Sequence, residues 1–128
     1  MLENFKVEII SPDRLILKTD ANQVVIPSYE GEIGILKDHI PLITFLRPGF
    51  IKIFNTSEEK FFVEEGTVEF TNNSLLILTS TAQQIKKLSK KTLDFLINEA
   101  EKNIDKDNLS DKEKFLLSYK LEALKSIN

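Results

Sequence analysis

The sequence predicts a β-sandwich of about ten short antiparallel strands, followed by an antiparallel hairpin of two helices. Apolar and polar residues alternate from Phe5 to about Ile85, whereas from Ser89 the apolar residues recur at helical spacing. Clusters of Pro, Gly, Asn and Asp separate the alternating runs, as is typical of sandwiches and barrels. We therefore divide the chain into a sandwich domain, residues 1–85, and a helical tail, residues 86–128.

The strands of the first half are predicted from short runs rich in Val, Ile and Phe. In the first run Phe5, Val7 and Ile9 face one way, which is the pattern of a half-buried strand. Two runs, residues 15–17 and 24–26, are apolar throughout and are expected to be buried on both faces. The remaining runs are residues 50–54, 68–70 and 75–78.

The two helices are predicted from caps and apolar stripes. Ser89 is a candidate N-cap, and Ser110 with Glu113 forms the pattern of a capping box. The first helix carries one narrow stripe, Leu93, Leu96, Ile97, Ala100 and Ile104, and the second a wider arc, Leu116, Leu117, Leu121, Ala123, Leu124 and Ile127. Because helices this short are marginal alone in water, each must pack on another part of the protein.

Composition excludes several classes of function. The chain has no cysteine, which rules out disulfides, thiolate catalysis and thiolate zinc sites. A net charge of -3 gives no electrostatic footprint for nucleic acid. The apolar runs are too short to span a bilayer, and the N-terminus is charged where a signal peptide needs its apolar run, so we expect a soluble protein without membrane insertion or an export signal.

The segment of residues 27–41 is the densest polar region of the sheet half. It suggests a turn region displayed by the sheet, with Glu30, Gly31, Glu32, Gly34, Asp38 and His39 as candidate residues. One histidine supplies too few nitrogen ligands for a typical transition-metal site, and acid–base chemistry needs a shifted pKa in a cleft. A protein-contact loop is therefore favoured over metal binding or catalysis, with a solvated turn as the alternative.

Lys86, Lys87, Lys90 and Lys91 form a basic cluster where the sheet half meets the helical half. The cluster is either an ordinary solvated surface or an electrostatic contact for an acidic partner. The chain lacks the glycine-rich fingerprints of nucleotide sites and any arrangement typical of a Ser/His/Asp triad. It therefore predicts a non-enzyme without a cofactor or metal.

Several of these segments resemble the epsilon subunit of rotary ATP synthases. Residues 30–36, with His39 and Pro41, are similar to that family's signature. Residues 46–53 contain its L-x-P-G pattern, and residues 5–12, 62–70 and 75–82 resemble further segments in the expected order. The match covers residues 5–82, and the helical tail is similar in layout alone.

The resemblance implies a non-catalytic rotor subunit that couples rotation of the c ring to ATP synthesis. In that family the sandwich docks on the gamma subunit and the c ring, and the tail can reach the alpha and beta subunits and restrain ATP hydrolysis. By position, contact with the c ring falls to Glu30, Glu32, Asp38 and His39. The implied location is the cytoplasmic face of a bacterial inner membrane, since no transit peptide is recognised, although a plastid-encoded subunit would also lack one.

Two departures from the family pattern concern the tail and a hairpin. Some bacterial members bind ATP through [IL]-D-x-x-R-A; here Leu93 and Asp94 match, but Ile97 replaces the arginine and Asn98 the alanine. An aliphatic side chain cannot supply the planar donor fork that recognises phosphate, so we expect no ATP sensing. We assign Lys90, Lys91, Leu93 and Asp94 to a regulatory tail. In the hairpin, Glu65 precedes Gly66 where many members have two glycines.

Two other functions remain open at this point. One is a stand-alone β-sandwich that binds a small ligand under a helical lid and migrates as a free monomer. The other is a small hydrolase that uses Glu32 and His39. Co-purification with a membrane ATPase would exclude the first, and loss of activity in His39→Ala would support the second.

Overall fold

The computed structural model describes residues 3–127, which form ten strands and two long helices. The strands are β1 (Phe5–Ser11), β2 (Arg14–Ala21), β3 (Gln23–Ser28), β4 (Gly31–Leu36), β5 (Leu42–Leu46), β6 (Gly49–Phe54), β7 (Glu58–Val63), β8 (Gly66–Thr71), β9 (Ser74–Leu78) and β10 (Gln83–Gln84). A 3-10 turn, Ile85–Lys87, leads to the helices α1 (Lys90–Ile104) and α2 (Asp111–Lys125).

The strands form two layers of five. One layer has the order β4-β3-β6-β7-β10 and the other the order β5-β8-β9-β1-β2. A single pairing, Ser28 with Leu46, joins the layers, so that the ladder bends from one into the other. The predicted β-sandwich with a C-terminal helical pair is thereby confirmed.

The sandwich core lies between the layers and follows the alternation in the sequence. Val7 and Ile9 of β1 and Ile51 and Ile53 of β6 are at most 2% exposed, whereas their neighbours on each strand point outwards. Burying side chains of this size contributes about 1.5–3 kcal/mol each. The core is continuous across both layers, and no charged side chain is buried among residues 3–127.

Two details of the strands differ from the prediction. β1 pairs with β9 in parallel, whereas the other pairings are antiparallel. Leu15 is 52% exposed because β2 lies at the edge of its layer and Leu15 sits on the outer face, so residues 15–17 are not buried throughout. Val25, inside the other run, is also partly exposed on an outer face.

The polar segment of residues 27–41 contains a strand that the sequence pattern did not predict. β4 runs from Gly31 to Leu36 and pairs along its length with β3. Its two glycines and Glu32 hid an alternation in which Ile33 and Ile35 face inwards. The segment is therefore two turns separated by a strand, not one turn region.

The helices pack on the outer face of the β4-containing layer. Ser89 caps α1 by accepting from the backbone N–H of Thr92, and Ser110 and Glu113 form the predicted capping box of α2. Phe62 of β7 points outwards yet is 1% exposed, because the helices cover it. We call Phe62, Leu93, Ala100, Ala123 and Leu124 the tail cluster. Within residues 3–127, neither helix has the length and hydropathy needed to cross a membrane.

Candidate partner-binding surfaces

The β3–β4 hairpin turns tightly through Tyr29 and Glu30. The Ser28 hydroxyl donates to the Gly31 carbonyl at 2.7 Å and accepts from the Glu30 N–H at 3.2 Å. Gly31 has φ 118°, a conformation that side chains rarely adopt. Glu30 and Glu32 are exposed on this hairpin, and Glu32 also borders a cavity beneath α2.

Asp38 and His39 lie in the second turn, between β4 and β5. Asp38 adopts φ 65° and is bonded to Asn73 of the β8–β9 turn through two hydrogen bonds. The His39 ring contacts the ring of Phe70 edge-on at 6.0 Å, and its Nδ1 lies 2.7 Å from the Ile40 carbonyl. These contacts hold the turn in place.

The structure does not bring the predicted polar residues together. Glu32 lies near one end of β4 and Asp38 lies beyond the other end, which separates them by roughly 15–20 Å. Gly34 lies between them, opposite Val25 of β3. Glu32 and His39 therefore cannot act on one small substrate. Among the described residues, no group of three or more His, Cys, Asp or Glu side chains is placed to hold a metal ion.

The outer face of the β5-containing layer is an apolar surface that the sequence analysis missed. Strand register places Phe45, Thr67, Leu78, Ile10 and Leu15 in one row across all five strands. Phe45, Leu78 and Leu15 are 60%, 45% and 52% exposed, and Ile43 beside Phe45 is 77% exposed. We call the surface formed by this row and Ile43 the sheet face. The sequence does contain a signal for this surface. β5 and β9 carry apolar residues on both faces of the strand, so some of them must lie outside the core.

The predicted tail residues divide into two kinds. Lys90, Lys91 and Asp94 are exposed on the first two turns of α1. Leu93 is 4% exposed and belongs to the tail cluster, so its role in the structure is packing. Ile97, which stands where the ATP motif has arginine, is partly buried against the same cluster.

A set of contacts between α2 and the sandwich was also missed by the sequence analysis. The ring of Tyr29 stacks on Phe115, with centroids 6.3 Å apart, and Phe115 contacts Tyr119 at 4.7 Å. The guanidinium of Arg47 lies 4.1 Å from the centroid of Tyr119. We call these four residues the clasp. Phe115 and Tyr119 are four residues apart in α2, but Tyr29 and Arg47 are distant from them in sequence, so no local pattern could have revealed the clasp.

Beside the clasp, Lys120 of α2 forms an ion pair with Glu64 at 2.7 Å. Both side chains are partly screened from solvent, at 19% and 34% exposure. At the same end of the sandwich, in the β1–β2 turn, the Ser11 hydroxyl donates to Asp13 at 2.7 Å and lowers the pKa of that carboxyl. Asp13 lies outside the clasp, so its titration does not bear on the helices.

Fold and surface together define a β-sandwich interaction domain that carries a helical hairpin on one face and leaves the other face apolar and open. Residues 4–85 match the family model described as "ATP synthase, Delta/Epsilon chain, beta-sandwich domain". The chain belongs to this family.

Curated relatives agree over the full length of the chain. It is 46% identical to the ATP synthase epsilon chain of Pelagibacter ubique, with 100% of both chains covered. It is 33% identical to that of Parvibaculum lavamentivorans, covering 99% of this chain and 97% of the relative.

Solved structures share the fold at low sequence identity. A chain of the Euglena gracilis mitochondrial ATP synthase, described as OSCP/F1/c-ring, superposes with a TM-score of 0.74 at 17% identity, covering 95% of this chain and 78% of its own. A chain of the Tetrahymena thermophila central stalk and c ring gives a TM-score of 0.69 at 18% identity, with 94% and 93% covered.

Proposed function

We propose that this protein is the non-catalytic central-stalk subunit of a proton-translocating ATP synthase. It couples rotation of the c ring to ATP synthesis in the catalytic head and has no active site of its own. Identity of 46% over the whole chain to a bacterial ATP synthase epsilon chain supports this role. The complex to which it belongs sits at a membrane, and we assign this subunit to the cytoplasmic face of a bacterial inner membrane.

The observation that carries the proposal is the full-length identity to that epsilon chain, and the asymmetry of the two outer faces supports the assignment of partners to surfaces. The helices cover Phe62 on one layer, whereas Phe45 and Ile43 on the other remain 60% and 77% exposed. Large exposed apolar surfaces on soluble domains mark interaction sites. We assign the sheet face to the gamma subunit, because a stable rotor joint needs an apolar contact area.

The c-ring contact is assigned to the β3–β4 hairpin. Glu30 is exposed on the turn and Glu32 is exposed at the start of β4, with Gly31 allowing close approach of the backbone. Charges at the rim of an interface mostly set register and association rate, so their contribution to affinity is modest. The resemblance implied a c-ring contact for Asp38 and His39 as well. Because β4 separates them from the turn of the β3–β4 hairpin and they adjoin the exposed Ile40, we instead propose that their end of the sandwich contacts the gamma subunit.

The helical tail is assigned a regulatory role toward the alpha and beta subunits. Lys90 and Lys91 are exposed cations at the start of α1, where they fit an acidic partner surface. Leu93 contributes packing within the folded-down tail.

The gamma assignment is tested with two matched substitutions. Phe45→Glu places a charge on the sheet face, and Phe95→Glu places the same charge on α1 at nearly the same exposure, 60% against 62%. We expect Phe45→Glu to weaken binding to purified gamma subunit at least tenfold, because a desolvated unpaired charge is costly at an interface. Phe95→Glu should bind as the parent does. Equal binding by both variants would refute the sheet-face assignment.

The hairpin assignment is tested by disulfide cross-linking in the assembled enzyme. Cysteine at Glu32 should cross-link to cysteine in a polar loop of the c subunit, whereas cysteine at Asp38 should not, since β4 separates the two positions. Cross-linking from Asp38 alone would reverse the orientation that we propose.

The alternative is a stand-alone sandwich with a helical lid over a ligand. A groove of about 470 Å³ at the open edge between β2 and β7, lined by Arg14, Phe61 and Gln83, is the feature that favours it. A protein of this kind would migrate as a free monomer in gently prepared membrane extracts. Co-migration with the ATPase would decide against it.

A further inference from the structure

The tail is held on the sandwich by contacts that are separate from the sandwich core. The buried residues fall into two clusters, one between the layers and one under the helices. Phe62 is the buried sandwich residue in the second cluster, with Phe50 packed beside it. The tail can therefore leave without opening the core between the layers.

The two ends of α2 are attached differently. Its C-terminal half buries Ala123 and Leu124, which are 8% and 0% exposed. Its N-terminal half is attached through the clasp, whose rings Tyr29 and Phe115 are 42% and 39% exposed. Partly exposed aromatic contacts are weaker than buried packing, so this half of the helix is the first to detach.

The space between α2 and the sandwich is loosely filled. A cavity of about 280 Å³ is lined by Glu32, Arg47, Tyr119, Glu122 and Ala123, among others. Arg47 is the cation of this lining, and two carboxylates share the cavity with it. The contact between the Arg47 guanidinium and the Tyr119 ring, at 4.1 Å, therefore spans a space that is not tightly packed.

The clasp also reaches the hairpin that we assign to the c ring. Tyr29 is one of the two turn residues of that hairpin, directly before Glu30, and Glu32 lines the cavity beneath α2. The same short hairpin therefore carries the exposed carboxylates, Glu30 in its turn and Glu32 in β4, and the ring on which Phe115 stacks.

We propose that the clasp sets the fraction of molecules whose tail is folded down, and that the β3–β4 hairpin links this fraction to docking on the rotor. A partner that orders the Tyr29–Glu30 turn favours the stacked position of Tyr29 and so the folded-down tail. By reciprocity, a closed clasp strengthens docking of the hairpin. The second step rests on the proposed function, whereas the first concerns the isolated chain alone.

The first step is tested by amide hydrogen exchange of the isolated full-length chain. Tyr119→Leu removes the ring between Arg47 and Phe115. We expect exchange in α2 to accelerate about fivefold to tenfold, while amides of β1, β6 and β9 keep their rates. Phe95→Leu is the matched control, since its ring is 62% exposed on α1, and it should change neither set.

A second variant separates loss of the clasp from a general loss of helix stability. Arg47→Met keeps an unbranched side chain on the sandwich, outside the helices, and should also accelerate exchange in α2. Adding it to Tyr119→Leu should then produce little further acceleration, because both changes remove the same contact. Equal rates in Tyr119→Leu and Phe95→Leu, or full additivity of the two clasp variants, would overturn the proposal.

The second step is tested by the affinity of these variants for the purified c ring with gamma subunit. Tyr119→Leu should bind several-fold more weakly than Phe95→Leu. If exchange accelerates but affinity is unchanged, the link between clasp and hairpin is wrong. If the parent chain does not bind the c ring with gamma at all, the proposed function fails, while the exchange result still decides on the clasp.

Discussion

The backbone N–H of Asp38 donates to Oδ1 of Asn73 at 2.7 Å, and Nδ2 of Asn73 donates back to Oδ1 of Asp38 at 2.9 Å. These residues lie 35 positions apart and both have positive φ, 65° and 57°. The pair joins the turn after β4 to the turn between β8 and β9. It thus fixes the path of the chain where it passes from one layer of the sandwich to the other.

Loss of this pair should lower stability without loss of the turn. Asn73→Gly keeps the permitted backbone conformation but removes both hydrogen bonds, and we expect about 1 kcal/mol less free energy of unfolding in urea titration. Asn72→Gly is the control, since Asn72 shares the turn and has φ 50°. It should change stability by less than about 0.5 kcal/mol, and equal losses would contradict the role of the pair.

Gly66 should tolerate no side chain. A Cβ there would lie 2.6 Å from the Leu78 carbonyl oxygen and 3.0 Å from Thr79 Cβ, and its φ is 154°. We expect Gly66→Ala to cost about 2–4 kcal/mol of unfolding free energy. Gly34→Ala, whose Cβ would meet nothing nearer than 3.7 Å, should be nearly neutral. A mild Gly66→Ala would mean that the β8 backbone shifts easily.

Truncation after Leu88 should leave a cooperatively folding sandwich. The core between the layers contains no residue of either helix. Removing the helices uncovers Phe62, so the truncated chain should self-associate in sedimentation experiments. Adding Phe62→Thr should restore a monomer, and in the assembled enzyme the truncated chain should still support proton-driven synthesis. An unfolded truncated chain would show that the sandwich depends on the tail.

The Lys120–Glu64 pair should stabilise the folded-down tail in a salt-dependent way. Lys120→Gln removes a 2.7 Å pair that is partly screened from solvent, and we expect a loss of about 0.5–1 kcal/mol at low salt that shrinks in 1 M NaCl. Lys102→Gln removes a 3.9 Å pair with Glu99 on the exposed surface of α1 and should have little effect. Thermal melts at two ionic strengths distinguish the variants.

Millimolar ATP should not alter the balance of tail states. Ile97 packs beside the tail cluster and offers no donor for a phosphate. Hydrogen exchange in α2 should therefore be the same with and without ATP. Saturable protection by ATP would show that another cation replaces the missing arginine.

Features set by residues close in sequence could be predicted. Features set by how strands are arranged within the two layers could not. The caps at Ser89 and Ser110 were readable because each bonds to an amide three residues away. The sandwich followed from alternation, but β4 was hidden because its glycines have no side chain to show which face is buried. Leu15 looked like a core residue, and only the position of β2 at an edge explains its exposure.

The candidate site could likewise be predicted only where it depends on residues close in sequence. Glu30 and Glu32 were expected on an exposed turn next to a glycine; Glu30 lies there, whereas Glu32 is exposed but lies in β4. Their separation from Asp38 and His39 follows from the hydrogen bonds of β4, which a run of polar residues cannot reveal. The clasp unites Tyr29, Arg47 and Phe115, whose proximity exists only after α2 docks.

The parallel pairing of β1 with β9 imposes an order on how the protein is made. β1 emerges first from the ribosome, yet its partner along residues 6–10 is residues 74–78, which are synthesised much later. Until then β1 can form its hairpin with β2, but its other edge stays open. The layer closes only when β9 arrives, which makes β9 the last strand that this core requires. The helices follow directly afterwards, so the surface around Phe62 is covered soon after the core beneath it is complete.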